Sequence, residues 1–132
     1  RSEAFVTLKI RLLREARAAL AAAGIEAGSC DGRDRSIAEE IAALRAALAD
    51  GSSLRALPLY NACWAALRDP ARPLESDRHH RRILSLAARH GTAAPTHAVL
   101  LEALDHARAT GAGPECLGAE ALLRRAIARE RT

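Results

Sequence analysis

The stretch "PLESDRHHRRILSLAARHG", Pro73 to Gly91, decides how the chain folds. It opens after a proline, carries acids in its first turn, shifts to apolar residues at helical spacing, and stops at a glycine, so it reads as one helix from near Leu74 to Gly91. Its first half is unusual. Eight consecutive polar residues, Glu75 through Arg82, precede the apolar run, which predicts two helical turns with no side suited to burial.

The same punctuation recurs along the chain. Residues 3 to 23 place Phe5, Leu8, Leu12, Leu13, Ala16, Ala19 and Leu20 at helical spacing and end at Gly24. After the polar segment "AGSCDGRDR", Ser36 and Glu39 have the spacing of a capping box, and Ile37, Ile41, Leu44 and Leu48 form one stripe before "DGSS". A third helix is expected from about Leu54 or Pro58 to Arg68, through Leu59, Cys63, Trp64 and Leu67, broken by Pro70 and Pro73. Pro95 suits the first turn of a fifth, which carries Val99, Leu100, Leu101, Leu104 and Ala107 up to "TGAGPE". A sixth runs from about Gly118 to Arg129. No period-two strand pattern and no internal repeat interrupts this series.

Composition agrees. Hydrophobic residues make up 49% of the 132 residues but aromatics only 2%, so the core must be built from Ala and Leu with some Ile and Val. Small side chains favour close helix packing over sheets. The expectation is an all-α single domain, residues 1–132, a compact bundle of about six helices. The formal charge is +4, and Lys9 is the only lysine. Arginines are interleaved with Glu and Asp, so no single stripe announces a nucleic-acid partner. Cys30, Cys63 and Cys116 lack CxxC spacing, which argues for free thiols in a reducing compartment and against a thiolate metal site. No apolar run approaches a membrane span and no signal-peptide pattern opens the chain; a cytoplasmic protein is expected.

Candidate chemistry is sparse. His79, His80, His90, His97 and His106 show no H-E-x-x-H or i,i+4 pairing, and adjacent His79 and His80 point about 100° apart. All five therefore read as surface histidines, with His90 a cation favoured at a helix C-terminus. "TGAG" at 110–113 follows no strand and is no phosphate cradle. Cys63 reads as a small helical residue, no base standing at a motif spacing from it. Glu75, in the first turn after Pro73 and Leu74, is stabilised by the free N–H groups there. With Asp77 beside "RHHRR", it reads as a solvated, salt-linked helix start.

The order of landmarks also resembles a family. "EARAALAAAGI" (15–25), "NACWAAL" (61–67), "RPLESD" (72–77) and "ILSLAARHGTAAP" (83–95) are similar, in order and separation, to the C-terminal helical domain of ketopantoate reductases (2-dehydropantoate 2-reductases). The matches span most of residues 13 to 107. The resemblance implies the helical half of an NADPH-dependent oxidoreductase of pantothenate biosynthesis, in which an N-terminal Rossmann domain binds the dinucleotide and the helical domain closes over a 2-oxo acid. It implies that Glu75, in the E-x-D element, lies in the substrate cleft with Asn61. It also implies that Cys63 stands where the family contacts substrate through a Ser or Thr, a weaker donor in its place.

Other departures are plain. The family's helix with its catalytic lysine falls outside these residues, and Lys9, in "TLKIRLL", is not its equivalent. His80 and Arg81 replace an Asn-Gly pair. With neither Rossmann half nor lysine, the chain alone is expected to bind no NADP and catalyse no hydride transfer, and its exposed partner face makes a homodimer plausible. The alternative reading is a free-standing helical interaction or dimerisation module whose "RHHRR" segment meets an acidic partner or nucleic acid.

Overall fold

The computed structural model describes residues 3–28, 32–51, 62–69, 71–114 and 116–131. Those residues form six α-helices and no strand: α1 (Glu3–Ala22), α2 (Ile37–Asp50), α3 (Ala62–Arg68), α4 (Glu75–His90), α5 (Pro95–Thr110) and α6 (Ala119–Glu130). The all-α expectation holds. The start of the third helix, with Leu54, Pro58 and Leu59, and residues Asn61, Cys30 and Pro70 lie outside the described residues.

α1 is the central helix, packing against α2, α4, α5 and α6, while α4–α5 and α5–α6 close the rest of the bundle and α3 sits on α4 and α5. Alanine makes this possible. Ala19 and Ala126 are fully buried, and Ala66, Ala87, Ala103 and Ala107 nearly so, which lets backbones approach closely where larger side chains would hold them apart. One cluster joins Ala19 of α1 to Leu86, Ala87 and Ala94, with Ile83 and Leu84 against it. Another joins Val6 and Ile10 of α1 to Ile41 of α2.

That second cluster corrects the stripe assigned to α1. Val6, Leu8 and Ile10 are buried, whereas Phe5 is 40% exposed. A helix contacted by four others is buried on more than one side, so a single stripe does not describe it.

The helix ends follow their sequence signals. Ser36 Oγ accepts from the Glu39 N–H at 3.3 Å while the Glu39 carboxylate accepts from the Ser36 N–H at 2.8 Å, a complete capping box. The Ser36 hydroxyl, which donates to the Glu39 carboxylate at 2.7 Å, together with the Ser36 N–H holds that carboxyl below the usual carboxylate range. Ser36→Ala is expected to lower stability by about 1 kcal/mol, read as a lower urea midpoint with an unchanged slope. α4 stops at Gly91, whose φ of 67° is a left-handed conformation that a side chain would resist.

Candidate functional site

The polar opening of α4 does have an inward side. Ser76, His80, Ile83 and Ala87 are separated by four, three and four residues, so they line one face of the helix. Ala87 is buried and Ser76, His80 and Ile83 half-buried. The expectation of two turns with nothing to bury is corrected: this face is buried, but its first two positions are polar and meet polar partners.

Ser76 Oγ–H donates to Cys63 Sγ at 3.2 Å, joining α4 to α3. Cys63 in turn lines an apolar groove of about 320 Å³ with Phe5, Trp64, Leu100, Leu117 and Leu122. Trp64 carries the Arg68 guanidinium over its ring at 4.8 Å. Glu75 is exposed at the first position of α4. The structure thus brings Cys63 to the turn that carries Glu75, by way of Ser76.

Arg81 bridges two helices. It makes two 3.0 Å hydrogen bonds to the Asp105 carboxylate of α5 and lies 3.8 Å from Asp77 one turn earlier. Arg78, His79 and Arg82 remain exposed. The segment is therefore split between one cation that ties α4 to α5 and three residues that face water.

The histidines depart most from the sequence reading. His97 is only 6% exposed and His80 half-buried, so neither is a surface residue. Their Nδ1 atoms lie 2.9 Å apart, with ring centroids 5.0 Å apart in an edge-on arrangement. His97 Nε2 is 3.1 Å from the Leu12 carbonyl oxygen of α1. A carbonyl only accepts, so His97 Nε2 carries a proton. Burial, with the neighbouring His97 and His79 charges, lowers the His80 pKa from 6.5 to about 4, and burial lowers that of His97 too. One imidazole pair thus links α1, α4 and α5.

Beside it runs a second polar line. The first four N–H groups of a helix lack intrahelical partners, and α5 begins at Ala94 without a side-chain cap of its own. Pro95 has no N–H, the first i to i−4 bond of the helix runs from the Ala98 N–H to the Ala94 carbonyl at 3.1 Å, and the N–H groups of Thr96 and His97 between them fall to Glu15. Its carboxylate accepts from the Thr96 N–H at 3.0 Å and from the His97 N–H at 3.1 Å. Thr96 is fully buried, and its Oγ1 accepts from Arg11 Nε at 3.2 Å; Arg11 also reaches Glu130 of α6 at 2.9 Å.

The chain matches no protein-family model, no curated protein and no solved structure.

Lys9 donates to the Glu40 carboxylate of α2 at 2.7 Å, an interaction that lowers the Glu40 pKa. Among the described residues no group of three or more His, Cys, Asp or Glu is placed to hold a metal ion. Nor, among them, does any strand precede the Gly111–Gly113 segment, which connects α5 to α6. None of their helices is long and apolar enough to cross a membrane.

The pairing of His80 with His97 and the bonds from α5 to Glu15 are not legible in the sequence, because the partners are 17, 81 and 82 residues apart. One signal was legible: Ser76 and His80 continue the spacing of Ile83 and Ala87 toward the N-terminus.

Proposed function

We propose that this chain is the substrate-side helical domain of a ketopantoate-reductase-like oxidoreductase, a cytoplasmic NADPH-dependent reductase of a 2-oxo acid in pantothenate biosynthesis. In this reading the dinucleotide binds to an N-terminal Rossmann domain, and the Cys63–Ser76 edge of the bundle, with Glu75, forms one wall of the substrate cleft, to which the family resemblance also assigns Asn61. The observation that carries it is the Ser76 to Cys63 hydrogen bond at 3.2 Å. It joins the "NACW" and "PLESD" segments, the two on which the family resemblance places substrate contacts.

Hydride delivery to a carbonyl carbon leaves an alkoxide that needs a nearby proton donor. The one lysine of this chain is engaged by Glu40. The 132 residues alone therefore complete no reduction, and their contribution is to orient the acid. The coding sequence upstream of Arg1 is expected to encode a strand, a GxGxxG turn and a helix; a start codon at or just before Arg1 overturns the reading. In the longer protein, Glu75→Gln should lower kcat/KM for the 2-oxo acid about a hundredfold and leave NADPH affinity unchanged. An unaltered rate removes Glu75 from the site.

A second reading has its own observation. Arg78, Arg82 and Arg89 are exposed and lie on one stripe of α4, a face suited to an acidic partner or nucleic acid. Binding to single-stranded RNA that weakens with salt, with a log–log slope of about −2 for three phosphate contacts, would favour it. No binding at low salt rejects it, and light scattering of the isolated chain separates a homodimer from a monomer.

A further inference from the structure

The hydrogen bond from His97 to Leu12 fixes more than His97. Because His97 Nε2 carries the proton, the Nδ1 of the neutral ring is a bare acceptor. It faces His80 Nδ1 at 2.9 Å, and two bare nitrogens at that distance would repel, so His80 Nδ1 is the donor. A neutral His80 then has no proton left for its Nε2. A helical carbonyl on α1 thus dictates, through two rings, the state of a nitrogen on α4.

That nitrogen is open. His80 has a hydrogen-bond partner only at Nδ1 among the described residues, and the one side-chain polar atom both buried and unpartnered among them is Thr92 Oγ1. His80 Nε2 therefore stands at the solvent boundary, one turn beyond the Ser76 that touches Cys63.

We propose that His80 Nε2 is a hydrogen-bond acceptor in the cleft, a specificity-determining group that favours a ligand presenting a hydroxyl there over one presenting only carbonyl and carboxylate oxygens. The proposal rests on the reading that this end of α4 lines a 2-oxo acid site. A 2-oxo acid anion offers acceptors alone, and a bare imidazole nitrogen can donate nothing to them. The Asn that His80 replaces in the family resemblance carries both a donor and an acceptor and could satisfy either ligand. Arg78, His79 and Arg82 stand exposed on the same turns, so an ammonium donor is disfavoured and an uncharged hydroxyl fits. Rotation of the ring is opposed because it would break the bond to His97. The depressed basicity of His80 keeps Nε2 bare through mild acid.

The 132-residue chain labelled with 15N-histidine tests this directly. Long-range 1H–15N correlation at about pH 7 and about pH 5.5 should show His80 protonated at Nδ1 only and His97 at Nε2 only; a proton on His80 Nε2 at about pH 7 overturns the proposal. Titration with 4-hydroxy-2-oxobutanoate should then shift His80 Nε2, with binding about tenfold tighter than that of 2-oxobutanoate. His80→Asn should reduce that preference to about twofold or less. If both acids perturb the Glu75–Ser76 turn equally and leave His80 Nε2 unmoved, the acceptor role fails while the cleft reading survives. If neither acid perturbs α4, both fail.

Discussion

Glu15→Ala is expected to destabilise the fold by about 3 kcal/mol, although Glu15 belongs to neither apolar cluster of the core. Among the described residues the carboxylate is the only acceptor for the N–H groups of Thr96 and His97, and the loss leaves two donors at a buried helix start without partners. Each such donor costs about 1–3 kcal/mol, and the favourable placement of a negative charge at the positive end of α5 disappears as well. Water can reach part of the space vacated, which keeps the total below the sum of those figures. Glu15→Gln should cost about 1 kcal/mol, since its one carbonyl oxygen can still serve either N–H. Urea unfolding by circular dichroism checks both, the Ala variant showing the lower midpoint. A loss under about 0.5 kcal/mol for Glu15→Ala would mean that α5 is capped in another way.

Helix positions were legible in this sequence because their signals are local. Ser36 and Glu39 are three residues apart, Gly91 directly follows α4, and Pro95 opens α5 where a missing N–H does no harm. What closes the bundle is not local. Glu15 and Thr96 are 81 residues apart and Arg11 and Glu130 are 119, and a Glu on α1 looks from sequence like any solvated acid on an amphipathic helix. Phe5 erred in the other direction. Its helical spacing places it on the α1 stripe with the other apolar residues, yet it is 40% exposed and lines the apolar groove, because alanines fill the narrow spaces that an aromatic ring cannot. At the candidate site, spacing alone puts His80 on the inward face of α4, but its hydrogen bonding depends on a ring on another helix and on the carbonyl behind that ring, neither of which is local in sequence.

Acid should loosen the domain well before its carboxylates titrate, and the imidazole pair is the reason. His80 and His97 are held neutral in the fold, their pKa values below 6.5 and that of His80 at about 4. In the unfolded chain both return to about 6.5. Between those values the unfolded state binds more protons than the folded state, so stability rises with pH across the window and is lost as pH falls from about 6.5 toward about 4. The groups that face the pair set its size: Asp77 on α4 and Glu15 on α1 favour charging, while His79 on α4 opposes it. With water at the open edge of His80 screening part of the effect, the loss should be about 2 kcal/mol between about pH 7 and about pH 4.5. The first proton has a route in, since His80 Nε2 can accept it without breaking the bond to His97; separation of α4 from α5 then follows only when His97 is also charged. His80→Phe should lower stability near neutrality, because His97 Nδ1 loses its donor, and should flatten the decline in acid. Urea midpoints measured across the window in wild type and variant decide it. Parallel pH dependence in the two proteins would assign the acid sensitivity to other groups, whereas convergence of the curves toward about pH 4.5 places it on the His80–His97 pair.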